Sequence, residues 1–120
     1  PLGDAFGLRN FGVNLTTIAP GSASALLHAH SRQDEFVYVL EGALVLEHDL
    51  GETQLTAGMC AGFAAGGAAH RLVNRSDLPA TVLEVGDRTE GDEVRYPADD
   101  LEAFRDAGRW RLRHKDGTPY

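Results

Sequence analysis

The run Glu35-Phe36-Val37-Tyr38-Val39-Leu40 constrains the fold more than any other stretch of the chain. Its β-branched and aromatic residues read as a strand ending at Glu41-Gly42. Alternation sets Glu35, Val37 and Val39 on one side and Phe36, Tyr38 and Leu40 on the other. Both sides are largely apolar, so this strand is expected to be covered front and back, and a layered β fold follows. Glycine supports that direction: 14 of 120 residues, well above the usual ~7%, suit many tight turns between short strands.

Further strands fall in line around it. Phe11, Val13, Leu15 and Thr17 alternate as a first strand, closed by the turn Pro20-Gly21, and Leu26 to His30 fits a second. Ala43 to Glu47 and Glu52 to Leu55 flank His48-Asp49-Leu50-Gly51, a hairpin with a polar tip that takes His48 into solvent. Ala69 to Asn74 sets His70, Leu72 and Asn74 on one face, and Ala80 to Val85 makes another apolar strand. Between Ala57 and Gly67 the residues are so small that backbone is expected to approach backbone, or a ligand, closely. After Gly86 the composition turns acidic, and Pro97 to Phe104 reads as a short helix with acids in its first turn. Arg109, Arg111, Arg113 and Lys115 alternate with Trp110, Leu112 and His114, which predicts a last strand with a basic face.

The expected organisation is one domain over 1–120: an arm over 1–10, a barrel core over 11–86 and a C-terminal extension over 87–120. A net charge of -7 argues against nucleic acid or an anionic membrane as partner. One cysteine, Cys60, excludes an intrachain disulfide and suits a reducing cytoplasm, and among small apolar neighbours it reads as an inert core residue. No run approaches the ~18 apolar residues of a membrane span, no signal peptide is visible, and without an initiator Met the natural start is expected upstream.

Chemistry concentrates in His28-Ala29-His30-Ser31-Arg32-Gln33-Asp34-Glu35. Side chains two apart on a strand share a face, so His28 and His30 point the same way, and Glu35 opens the next strand where it can face them. Asp34 is the alternative carboxylate, but alternation with Val37 and Val39 favours Glu35. Imidazole and carboxylate without thiolate suit a divalent transition metal such as Mn, Fe, Co, Ni, Cu or Zn. His114 is assigned to the tail.

The spacing carries a resemblance. Six residues separate Gly21 from His28, one separates His28 from His30, four separate His30 from Glu35, and six separate Glu35 from Gly42. Fifteen residues later, Gly58, Ala64, Gly66, His70 and Asn74 form a second set, with three residues between His70 and Asn74. Together these resemble the two motifs of the cupin family, most closely the small bacterial conserved-barrel members sometimes called sugar-isomerase-like. Departures are confined to loops: one extra residue before His28, one before His70, and Ala64 where the family usually has proline.

The resemblance implies an all-β, double-stranded β-helix (jelly-roll) barrel, here with the short C-terminal helix and a tail. It implies that His28, His30, Glu35 and His70 bind one divalent metal with a position open for water or substrate. A metal-dependent enzyme acting on a small polar molecule is then expected, of dioxygenase, isomerase, decarboxylase or lyase type. A non-catalytic small-molecule binding or sensing module is the alternative, and no general acid or base beyond the ligands stands out. Phe36, Tyr38 and Leu40 are read as the surface of a homodimer.

Overall fold

The computed structural model describes residues 1–120. After a 3-10 turn at Asp4–Phe6, eleven strands follow in chain order. They are β1 (Phe11–Ile18), β2 (Ala29–His30), β3 (Glu35–Glu41), β4 (Ala43–His48), β5 (Gly51–Thr56), β6 (Cys60–Phe63), β7 (His70–Val73), β8 (Ala80–Asp87), β9 (Glu93–Tyr96), β10 (Leu101–Asp106) and β11 (Arg109–Arg113). The all-β expectation holds. The strands pair in three sheets, ordered β1-β8-β3-β6, β5-β4-β7 and β11-β10-β9-β2.

The core lies between the first two of these sheets. Val37 and Val39 of β3, Ile18 of β1 and Ala80 and Val82 of β8 meet Leu44 and Leu46 of β4, Leu55 of β5 and Leu72 of β7. These are the inward positions of strands that alternate, so one periodicity forms both the sheets and the core. Burying each Leu or Val contributes about 1.5–3 kcal/mol. Gly42 joins β3 to β4 at φ +89, and a Cβ there would lie 2.8 Å from the Ala80 Cα, so the motif glycine is required by both backbone and space.

Several sequence expectations are corrected. The short helix over Pro97–Phe104 does not form: residues 97–100 make a turn and Leu101–Asp106 is strand β10, paired with β9 on one side and β11 on the other. A helix so short gains little from its own hydrogen bonds, whereas two ladders satisfy the β10 backbone and bury Ala103. The second strand is shorter than Leu26 to His30, because only Ala29 and His30 join a ladder, with β9. Cys60 is exposed rather than buried in the core, opposite Tyr38 at the start of β6. The outer side of β3 is open in the single chain, leaving Phe36, Tyr38 and Leu40 exposed.

The fold then presents the three site segments together. The backbones of His28 and His70 exchange two hydrogen bonds of 3.2 and 2.9 Å, which sets these residues side by side. Glu35, at the head of β3, pairs with Gly86 of β8 and Phe63 of β6. Because β2 is held by β9, the position of His30 depends on the C-terminal strands.

Candidate metal centre

Glu35 is the hub. Its Oε1 lies 2.9 Å from His30 Nε2, and its Oε2 lies 3.6 Å from His28 Nε2 and 2.6 Å from His70 Nε2. His28, His30 and Glu35 each offer a ligand atom, all within 4.8 Å of one another. His70 lies outside that span and joins the group by its bond to Glu35 and by packing against the His28 ring at 4.8 Å between centroids. Asp34 stands apart, accepting the Ala65 amide at 2.7 Å. His48 bonds Thr53 at the hairpin tip and His114 bonds Asp100 and stacks on Tyr120, so neither belongs to the site.

What lies behind each ring decides which of its nitrogens faces the cluster. His28 Nδ1 is 2.8 Å from the Leu26 carbonyl, and His70 Nδ1 is 3.3 Å from the Ala68 carbonyl. A carbonyl oxygen only accepts, so both Nδ1 atoms donate and carry the proton. His30 Nδ1 faces the Asp92 carboxylate at 2.6 Å. Asp92 is fully buried and also accepts the amides of Arg32 and Gln33, which fixes it as the support of the His30 ring. The His70 ring is held by Phe63, stacked at 3.5 Å and 3°. All three Nε2 atoms are thereby turned toward Glu35.

This arrangement passes the chemical test for a divalent ion. With an acceptor on both sides of every ring, protons alone would satisfy the cluster only by making three imidazoliums around one carboxylate. A single divalent cation could instead be held by the Nε2 lone pairs of His28 and His30 together with the Glu35 carboxylate, whose ligand atoms converge, and outward Nδ1–H bonds to carbonyl or carboxylate are the usual support of a metal-binding histidine. The electrostatics express the same crowding. Burial opposes the charge on His30, but hydrogen bonds and attraction from Glu35 and Asp92 overcome it and raise its pKa to about 9. Burial likewise opposes charge on His28, whose pKa is nonetheless raised by Glu35 and the Leu26 carbonyl. Glu35, despite its own burial, is held well below the usual carboxylate range by the three histidines.

The group opens into a cleft of about 360 Å³ whose walls include Asn14, Phe63, Glu84, Arg88, Arg105 and Trp110. Glu84 is a carboxylate that sequence reasoning missed. It sits on β8 opposite Val37, points into the barrel, accepts the Thr16 hydroxyl at 3.1 Å and has no cationic partner. Burial, with the nearby charge of Glu35, raises its pKa, whereas the Thr16 bond acts the other way. One signal was available: Glu84 interrupts the apolar strand Ala80 to Val85. Asp92 offered no such signal, lying in an acidic segment where every carboxylate looked alike.

The cupin domain family model matches residues 14–86. A Silicibacter pomeroyi DSS-3 structure described as a sugar phosphate isomerase from a cupin superfamily is 48% identical, covering 99% of this chain and 76% of its own, with a TM-score of 0.92. A protein of Acidithiobacillus ferrooxidans ATCC 23270, provisionally designated a sugar phosphate isomerase, is 34% identical over 99% of this chain and 76% of its own, with a TM-score of 0.89. A Thermotoga maritima protein named as a predicted oxalate decarboxylase shares the fold at 22% identity, over 72% of this chain and 74% of its own, with a TM-score of 0.62. No protein with a curated description matches.

Proposed function

We propose that this chain, which belongs to the cupin family, is a divalent-metal-dependent enzyme acting on a small polar molecule, and that its reaction is aldose–ketose isomerisation of a sugar phosphate. The observation that carries the reading is the convergence of His28, His30 and His70 on Glu35 beside an open cleft. The designations of the Silicibacter and Acidithiobacillus proteins, both similar over nearly the whole of this chain, support the choice of reaction.

His28, His30, Glu35 and His70 would hold the ion, which when bound supplies Lewis-acid polarisation of a substrate oxygen. Isomerisation also needs a group that removes a proton from the carbon beside the carbonyl and returns it to the neighbouring carbon. Glu84 suits that role because it lines the same cleft, no cation holds it, and burial brings its pKa closer to neutrality than that of an exposed carboxylate. Thr16 orients the carboxyl, and Asp92 and Phe63 hold the rings of His30 and His70. The proposal includes a cytoplasmic setting and a homodimer formed through the open outer side of β3.

The test is to load the full chain separately with Mn, Fe, Co, Ni, Cu and Zn and to assay five- and six-carbon aldose and ketose phosphates. Turnover is expected with at least one ion, together with loss of bound metal in His28→Ala and His30→Ala. Glu84→Gln is expected to lower kcat by about 10²–10⁴-fold with metal content unchanged. Metal binding without turnover of any sugar phosphate would sink the isomerase and favour a binding module.

A further inference from the structure

We propose that Arg105 forms an anion subsite in this cleft, taking the phosphate group of a small phosphate ester, with Trp110 as the aromatic wall beside it. The inference rests on reading the cleft as a substrate site, and it deepens that reading by naming the group that recognises the charged end. Two arginines line the cleft, and they differ in commitment. Arg88 is spent on the N-terminal arm, donating to the Leu8 carbonyl at 3.1 Å and to Asp4 at 2.9 Å. Arg105 has no acidic partner: its Nη2 donates to the Gly108 carbonyl at 2.9 Å, and its Nε is shut from solvent with no acceptor.

That Nε is the one buried side-chain polar atom in the structure left without a partner. A guanidinium presents its N–H groups as a planar fork that matches the oxygens of phosphate or carboxylate, so Arg105, which lines the cleft and commits only Nη2 to the chain, keeps its Nη1 donors for an oxyanion there. The turn at Ala107-Gly108, which links the last β10–β11 pair Asp106 and Arg109, helps to fix the fork, because the Gly108 carbonyl within it accepts from Nη2. Trp110 is the direct cross-strand partner of Arg105, with the guanidinium carbon 5.8 Å from its ring centre. It also lines an adjoining hollow with Tyr96, Leu112, His28 and His30. One hairpin therefore sets a cation and an aromatic surface beside the ligand cluster, a combination suited to a charged group on a compact carbon skeleton.

Trp110 is the single tryptophan of the chain, so its emission reports directly on this corner. The experiment titrates the metal-loaded full chain, and separately the metal-free chain, with inorganic phosphate, ribose 5-phosphate and neutral ribose, by Trp110 fluorescence and by calorimetry. Saturable binding of both phosphates is expected in either form, with ribose much weaker. Arg105→Gln is expected to weaken phosphate binding about tenfold or more, as loss of charge-assisted hydrogen bonds implies, while metal content and circular dichroism stay unchanged. Arg105→Lys is expected to bind between the two, and it decides the matter alone if the glutamine variant does not fold. No saturable phosphate binding to the wild type, or wild-type affinity in the decisive variant, overturns the subsite. Phosphate binding through Arg105 in a chain that turns over no sugar phosphate defeats the isomerase and leaves the subsite standing. Turnover unaffected by Arg105→Gln does the reverse.

Discussion

At the scale of single residues, His30 couples the site to pH. Its pKa rises from 6.5 to about 9 in the metal-free fold, so the stability it contributes is complete below pH 6.5 and is lost as pH rises through about 9. Glu35 moves the other way from 4.5, so its contribution is complete above pH 4.5 and is lost as pH falls through its depressed value. The cluster therefore stabilises the metal-free protein most between pH 4.5 and 6.5, and thermal unfolding across pH should show that maximum. Metal affinity should trend oppositely, climbing as pH rises toward about 9, because the ion takes the place of a proton on His30 Nε2. Competition with a chelator at successive pH values measures it. Asp92→Asn keeps the shape but removes the charge behind His30, and is expected to weaken metal binding about 10–100-fold in the same competition assay. The candidate ligands at β2 and β3 were legible as a cluster, since two histidines at strand spacing followed by a glutamate need only local geometry to be recognised. Asp92 and Glu84 were not, because what makes them special is a neighbour 62 residues away in one case and the interior side of a barrel in the other.

Among the elements, the central strands were read nearly residue for residue, since strong alternation and glycine punctuation leave little choice there. The C-terminal third was misread where local propensity and long-range pairing disagree. Pro97, Asp99 and Asp100 carry the marks of a helix start, yet β9 and β11 offer a ladder on each edge of β10, and pairing outweighs a preference worth fractions of a kcal/mol per residue. Strand β6 went unread for a related reason: Cys60 to Phe63 has too few large side chains to show alternation, and its partner β3 supplies the order. Gly42 is the element boundary most sensitive to change. Gly42→Ala would place a Cβ against Ala80 in a left-handed backbone, and a loss of about 2–4 kcal/mol is expected in urea denaturation.

For the molecule as a whole, the sheet carrying Glu35 has two unlike sides. Its inner side holds the core and the site, while Phe11 and Leu15 of β1 and Phe36, Tyr38 and Leu40 of β3 leave the outer side apolar and exposed. A patch spread over neighbouring strands suits a second copy of the chain, in line with the proposed homodimer. Scattering should give the mass of two chains for the wild type and of one chain for Tyr38→Glu combined with Leu40→Glu, and a one-chain wild type would remove the dimer. The link between His30 and Asp92 has a temporal consequence. A ribosome delivers His28, His30, Glu35 and His70 before Asp92, which lies 62 residues beyond the ring it steadies. An emerging chain can thus display every candidate ligand while His30 still lacks its support. Under the proposed metal site, capture of an ion would belong to the finished polypeptide, and premature release from synthesis should yield a chain with every candidate ligand and little hold on metal.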